Sequence, residues 1–347
     1  MGWKRTALEL ATRVCALRAP RAAAMPENPR SIFVLRNNGI GDVLLCTPLL
    51  AALRARFPRA RIVAGVGAWA VDALAGNPDV DLVLPINAPW GNHLVQPQSL
   101  GAVVRYLRSK ETRQLAREQF DIGIDVMGSW RGSLLLMRAG IPWRLGVRGY
   151  AGGHATAQQC IDYRKDEHVA AAALRFAMLL GASEMSELRP RVFVEPEAHG
   201  AIVMAPGGGY AAKCWPLENF LSLARLLAPR RIIVVGDEAD RPLGAALREA
   251  GPQMDDRTGR LSLRETLSVI GGASFVVCNS SMAMHAAAGF TRPCYALLGP
   301  EFPSARAHAR QWGHLETRVL GREPERDSLA PPEEVFDILR TDGLLVS

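Results

Sequence analysis

Two widely separated glycine-bearing turns, each joining an apolar strand to a helix, constrain this chain more than any other feature. The first follows Ile32-Phe33-Val34-Leu35 and reads Arg36-Asn37-Asn38-Gly39-Ile40-Gly41-Asp42. The second follows Ala201-Ile202-Val203-Met204 and reads Ala205-Pro206-Gly207-Gly208-Gly209-Tyr210-Ala211-Ala212-Lys213. In an open α/β sheet such turns stand at the carboxyl ends of strands, where ligands bind and helix N-termini attract phosphate. Two of them predict two facing clefts, and 347 residues suit two α/β domains better than one.

The rest of the pattern fits. Short apolar runs at 31–36, 61–66, 81–84 and 121–126 read as buried parallel strands, with the last closing a first sheet. A helix is expected over 42–56, with Pro48 at a kink or early turn, and another over 168–180, capped by Gly181. A second βα series has strands at 201–204, 231–236, 275–278 and 294–299, and helices near 217–227, 240–250, 263–271 and 282–289. Pro331-Pro332 introduces a last helix. The expected organisation is a leader over 1–30, Rossmann-like domains over 31–185 and 190–330, and a C-terminal helix and tail over 331–347.

Composition excludes several classes. With 48% apolar and 22% charged residues the chain is globular, and no apolar run approaches the roughly 18 residues of a membrane-spanning helix. The six cysteines show no paired short spacing, which argues against a disulfide frame or zinc site and for a cytosolic chain. Of the net charge of +7, a share of +4 falls within residues 1–30. Glu9, Arg13 and Arg18 break up any signal-peptide core, so the leader is expected to be retained. On a helical wheel Trp3, Leu10, Val14 and Leu17 share a face. That face suits a helix lying on anionic lipid, and equally a frayed or protein-packed helix.

Asp42 opens a helix after the first glycine turn. There a carboxylate is stabilised by the backbone N–H groups and the macrodipole, and it also stands where a base can take a proton from an attacking hydroxyl. Lys213, close behind three glycines, suits a diphosphate whose negative charge grows as it leaves, although a lysine there also reads as ordinary surface. Asn279-Ser280-Ser281 end a strand and open the helix bearing Met284 and His285, whose N-terminus offers further donors. His285 also reads as a core histidine bonded to a backbone carbonyl. A nicotinamide dehydrogenase would share the glycine turns, but neither turn reads G-x-G-x-x-G.

Taken in order, Gly39-Ile-Gly41-Asp42 through Thr47-Pro48 to Arg54, then Pro206-Gly-Gly-Gly-Tyr-Ala-Ala-Lys213-Cys-Trp215-Pro216, Thr258-Gly259-Arg260-Leu-Ser262-Leu263-Arg264-Glu265, and Asn279 to His285 with Gly299-Pro300 resemble glycosyltransferase family 9, the bacterial heptosyltransferases. The resemblance covers about residues 31 to 300. It implies a GT-B fold, with acceptor on the N-terminal domain, nucleotide-sugar on the C-terminal domain and catalysis in the cleft between them. It further implies transfer of a heptose from ADP-heptose to the lipopolysaccharide core with inversion, without a cofactor or obligatory metal. By the match Asp42 is the general base. Gly207, Gly208, Gly209, Lys213, Asp240, Ser280, Ser281, Met284 and His285 meet the donor. Gly39, Gly41, Arg131, Arg144 and Arg148 meet an acidic glycolipid acceptor. The implied setting is the cytoplasm, with peripheral contact at the inner membrane and no nucleic-acid partner.

One stretch departs from the family. Where Asn-Asp-Ser-Gly is usual, the chain reads Asn279-Ser280-Ser281-Met282, replacing a carboxylate by Ser and a glycine by Met. Both changes fall at the donor. They raise two alternatives, a changed donor sugar or nucleotide and a GT-B binding protein that has lost catalysis.

Overall fold

A computed structural model describes residues 19–91, 99–183 and 187–345. The chain divides into two units, Met1–Leu188 and Arg189–Ser347. The leader helix expected from Trp3, Leu10, Val14 and Leu17 lies outside the described residues.

The first unit holds strands β1 (Ser31–Leu35), β2 (Arg61–Val66), β3 (Leu82–Pro85), β4 (Ile122–Asp125), β5 (Trp143–Arg148) and β6 (Gln159–Asp162). Its helices are α1 (Ile40–Leu44), α2 (Thr47–Arg56), α3 (Leu100–Leu107), α4 (Lys110–Arg117), α5 (Trp130–Arg138) and α6 (Val169–Leu179). The second unit holds β7 (Ile202–Ala205), β8 (Ile232–Val234), β9 (Met254–Asp256), β10 (Val276–Asn279), β11 (Cys294–Leu297) and β12 (Thr317–Leu320). Its helices are α7 (Leu217–Leu226), α8 (Arg241–Leu247), α9 (Leu263–Gly271), α10 (Met282–Gly289), α11 (Ala305–Trp312) and α12 (Pro332–Thr341).

Both sheets are six-stranded and share one order, β3-β2-β1-β4-β5-β6 and β9-β8-β7-β10-β11-β12. Every pairing is parallel, with Leu35 opposite Asp125 in one sheet and Cys278 opposite Ala205 in the other. In this doubly wound order the chain reverses its direction of travel across the sheet between β1 and β4, and again between β7 and β10. Crossover loops leave on opposite faces there, opening a crevice at the strands' carboxyl ends. The two glycine turns follow β1 and β7, so both stand at such a switch point.

The first sheet does not close at 121–126, since β5 and β6 extend it. The basic segment at Arg144–Arg148 is itself a strand. The helix expected over 42–56 is two helices, with Pro48 in the first turn of the second, where its missing N–H costs no hydrogen bond. The helix expected over 240–250 is α8 flanked by single 3₁₀ turns.

Each unit has its own core. Phe33, Leu35, Val63, Ile86, Leu135 and Leu136 pack in the first, and Met204, Phe220, Val234, Val277 and Leu297 in the second, each burial contributing roughly 1.5–3 kcal/mol. Helix α12 packs into the second unit. Val335 and Leu339 enter the second core, and the indole N–H of Trp215 donates to Ala330 O at 2.9 Å.

Candidate active site

At the end of β1 the chain must leave a crowded sheet edge and start a helix at once. Arg36 and Asn37 are still buried, and Asn37 Nδ2 donates to Trp90 O at 3.0 Å, pinning the turn from beneath. Gly39 is the extended N-cap of α1 and offers no side-chain cap, so the carboxylate of Asp42 in the first turn is the charge that meets the helix N-terminus. Arg36 Nη2 donates to Asp42 Oδ1 at 2.6 Å. Asp42 Oδ2 turns towards Gly39, where an added Cβ would stand 3.2 Å from it. One carboxylate oxygen is therefore held by a guanidinium and the other is open to accept.

The neighbouring strand β4 ends in Asp125, and Val126 N–H donates to Leu35 O at 3.2 Å, so the exits of β1 and β4 lie side by side. Ser129 then caps α5, which carries Arg131 beside Trp130, with the guanidinium 5.3 Å from the ring centre. The Gly149–Gly153 segment folds back onto this exit. Trp130 N–H donates to Ala151 O at 2.8 Å and Gly153 N–H to Gly128 O at 2.9 Å. The approach is so close that a Cβ on Gly153 would lie 2.4 Å from the Gly128 carbonyl carbon. Arg148, exposed at the end of β5, pairs loosely with Asp162 at 3.5 Å.

Arg144 stands apart from this group. It is 1% exposed, and its guanidinium donates to Thr156 O and Pro20 O, both at 2.9 Å, and to Ile141 O. A guanidinium spent on carbonyls braces β5 against the segments around it, and of the other two candidate arginines Arg148 is exposed and Arg131 half-buried.

In the second unit the glycine turn leaves β7 beside two polar anchors. Asn279, buried at the end of β10, donates to Pro206 O at 2.5 Å and accepts from Trp215 N–H at 2.8 Å, joining both ends of the turn to the neighbouring strand. A Cβ on Gly208 would meet Cys214 Sγ at 2.7 Å, and one on Gly207 would meet Asp240 Oδ2 at 2.2 Å. Gly209, at φ +88°, takes the left-handed conformation that glycine tolerates. Asp240 thus packs on the turn, accepts from Asp237 N–H at 3.1 Å, and has its carboxyl pushed up by burial and then by the Asp237 charge. Lys213 ends the short turn at 211–213, and no carboxylate pairs with it among the described residues.

Helix α10 begins beside this turn. Ser281 is its N-cap without a side-chain bond to the first turn, so backbone donors there stay available. Successive helical residues are about 100° apart, which puts Met282 at the half-exposed mouth and Met284, 0% exposed, in the interior. The Met284 side chain is therefore fully buried. His285 is buried too, but its Nδ1 lies 2.9 Å from His314 Nε2, a side-chain pairing that the motif did not indicate.

The sequence of the family described as glycosyltransferase family 9 (heptosyltransferase) matches residues 108–330, well over half the chain. The chain belongs to that family. A lipooligosaccharide heptosyltransferase 2 of Haemophilus influenzae is 26% identical over 303 residues, 79% of this chain and 84% of that protein. A lipopolysaccharide heptosyltransferase 2 of Escherichia coli is 25% identical over 300 residues, 78% and 83% respectively. Among solved structures, E. coli ADP-heptose lps heptosyltransferase II aligns with a TM-score of 0.71 at 21% identity, covering 90% of this chain and 98% of that one. E. coli heptosyltransferase WaaC with ADP-2-deoxy-2-fluoro heptose aligns at 0.73 and 19% identity, covering 90% and 99%. Those likenesses show the fold, the GT-B type that the family resemblance implied. As a family 9 member the chain is a glycosyltransferase. Asp42 precedes the matched stretch, so its role rests on the geometry of its turn.

Three residues that the structure makes important carried no assigned role in the sequence. Arg36 pairs with Asp42, Asp125 accepts from Ser129 N–H, and the His308 ring lies against Phe302 and Trp312, all within six residues along the chain. Arg36 alone carried a local signal, as a charged residue ending an apolar strand. The described cysteines are free thiols, and no cluster of metal-ligating side chains occurs among the described residues.

Proposed function

We propose that this protein is an inverting, metal-independent heptosyltransferase that moves a heptose from ADP-heptose to a lipopolysaccharide core or related surface glycan. The observation that carries the reading is the pairing of chemistry with topology. The switch-point turn of one unit presents a carboxylate with an open oxygen, and that of the other presents a lysine beside uncommitted N–H groups. Asp42 Oδ2 takes the proton from the acceptor hydroxyl as its oxygen attacks the anomeric carbon. The bond to the phosphate oxygen breaks on the opposite side, and ADP leaves with the electron pair. Lys213, the turn at Gly207, Gly208 and Gly209, and the start of α10 at Ser280 and Ser281 stabilise that growing charge. Asp240 faces the donor's ribose or sugar, His285 backs the donor helix, and Gly39 and Gly41 let the acceptor approach the α1 turn. Arg131 and Arg148 meet its acidic groups.

Calorimetry and thermal shift with ADP, UDP, GDP, CMP and NAD test the donor half before any acceptor is known. Selective ADP binding is expected, weakened about tenfold or more in Lys213→Ala because a charge-assisted contact is lost. A preference for UDP or GDP would make Ser280 and Met282 marks of a changed donor. NAD binding would restore the dehydrogenase, and no binding at all would favour a scaffold without catalysis.

We place the enzyme at the cytoplasmic face of the inner membrane, held there by its basic N-terminal segment. No helix among the described residues is long and apolar enough to cross a membrane. Removing residues 1–18 should shift the protein from the membrane to the supernatant fraction while sparing transfer to a water-soluble acceptor. Unchanged sedimentation would refute the lipid contact.

A further inference from the structure

The loop after β11 is bonded directly to the Lys213 turn. Gly299 N–H donates to Lys213 O at 3.1 Å and Glu301 N–H to Ala212 O at 3.0 Å, while the Tyr210 hydroxyl donates to Glu301 Oε1 at 2.8 Å. Phe302 follows, tied back by its N–H to Gly299 O at 3.3 Å, and its ring lies edge-on to His308 of α11 with centroids 4.7 Å apart. On its other side His308 stacks against Trp312 at 6.4 Å, and Trp312 lies 6.4 Å from His285 of the donor helix α10. His308 thus occupies a wall of rings running from the lysine turn to α10.

Within that wall His308 is 9% exposed, and its Nε2 is buried with no hydrogen-bond partner among the described residues. A buried polar nitrogen left unpaired costs about 1–3 kcal/mol, so a fold that keeps one is expected to fill it in its working state. Burial, reinforced by the Lys213 charge, pushes the imidazole down to about 4, so the ring is neutral at neutral pH and does not compete with the ammonium for an anion. A neutral N–H beside a lysine without a carboxylate partner is a donor set matched to phosphate oxygen.

Resting on the proposed function, we propose that His308 Nε2 donates a hydrogen bond to the diphosphate of the bound nucleotide-sugar, alongside Lys213. This adds a contact from α11 to a donor site otherwise built on the β7 turn and the start of α10.

The test measures ADP and adenosine affinities by calorimetry on the full chain for wild type, His308→Phe and His308→Gln. Phenylalanine keeps the ring stack and removes the donor, whereas glutamine keeps a side-chain N–H. His308→Phe should weaken ADP tenfold or more and adenosine less than twofold, with His308→Gln recovering most of the loss. Unchanged ADP affinity in His308→Phe, or equal loss for ADP and adenosine, would overturn the contact and leave the function standing. Wild type that binds no nucleoside diphosphate would overturn both. If His308→Phe does not fold, His308→Leu carries the same comparison.

Discussion

Replacing Asp42 by Asn is expected to lower kcat roughly 100- to 10,000-fold, the range that a positioned general base contributes. The argument depends on the two carboxylate oxygens having separate tasks. Oδ1 accepts from Arg36 at 2.6 Å, and Oδ2 faces the Gly39 turn with no partner among the described residues. Asparagine has the same shape and can still accept from Arg36 through its amide oxygen. What it presents in place of Oδ2 is an NH2 group, which cannot take a proton. The change also removes a negative charge from the first turn of α1, worth about 0.3–1 kcal/mol, and takes the counter-charge from the nearly buried Arg36 guanidinium, so unfolding should shift by more than the helix effect alone. ADP affinity should be unchanged, because its ligands belong to the second unit. A variant that loses stability while keeping a third or more of its rate would show that Asp42 serves the helix and not the chemistry.

Most strands legible in the sequence are buried, β1, β2, β4, β7, β8, β10 and β11 being largely apolar because both faces of a parallel sheet are covered, while the partly exposed β3 was legible from its apolar run alone. The missed strands are those that carry charge. Trp143-Arg144-Leu145-Gly146-Val147-Arg148 reads as a basic stretch, yet Arg144 sits inside, where its guanidinium donates to the carbonyls of Thr156, Pro20 and Ile141. Neither the edge strand β12 nor β9, three residues with two aspartates, has an apolar period to find. The candidate site divides in the same way. Asp42 and Lys213 were visible because local rules, a glycine turn followed by a helix start, decide where they stand. The motif gives the position of Met284 along the helix, while the burial of its side chain depends on the sheet beneath it. Asn279 stood in the motif, but its bonds to Pro206 and Trp215 depend on the pairing of β10 with β7, while the importance of His308 and Asp125 comes from burial that no local pattern encodes.

Asp125 also yields the largest expected effect on stability. The carboxyl ends β4 at 1% exposure, accepts from Ser129 N–H at 2.9 Å through Oδ2, and leaves Oδ1 with no partner among the described residues. Helix α5 closes over it, since a Cβ on Gly132 would lie 2.4 Å from Oδ2. Burial pushes the pKa up to about 7, against the pull of the backbone N–H groups and of Arg36. In the unfolded chain an exposed aspartate carboxyl titrates at its ordinary value of 3.8. Between those two values the folded protein holds a proton that the unfolded chain releases. Stability is therefore full below about pH 4 and falls as pH rises to about 7, by roughly 4 kcal/mol in all for a shift of this size. An amide cannot ionise, and whatever Asp125→Asn costs in packing or in an unpaired N–H is the same at every pH. The stability of Asp125→Asn relative to wild type should therefore rise by about 3–4 kcal/mol between pH 4 and pH 8.5, read from urea unfolding at each pH. A difference that stays flat across this range would mean that the carboxyl is solvated in the folded protein, and that the exit of β4 is open to water beside the turn that holds Asp42.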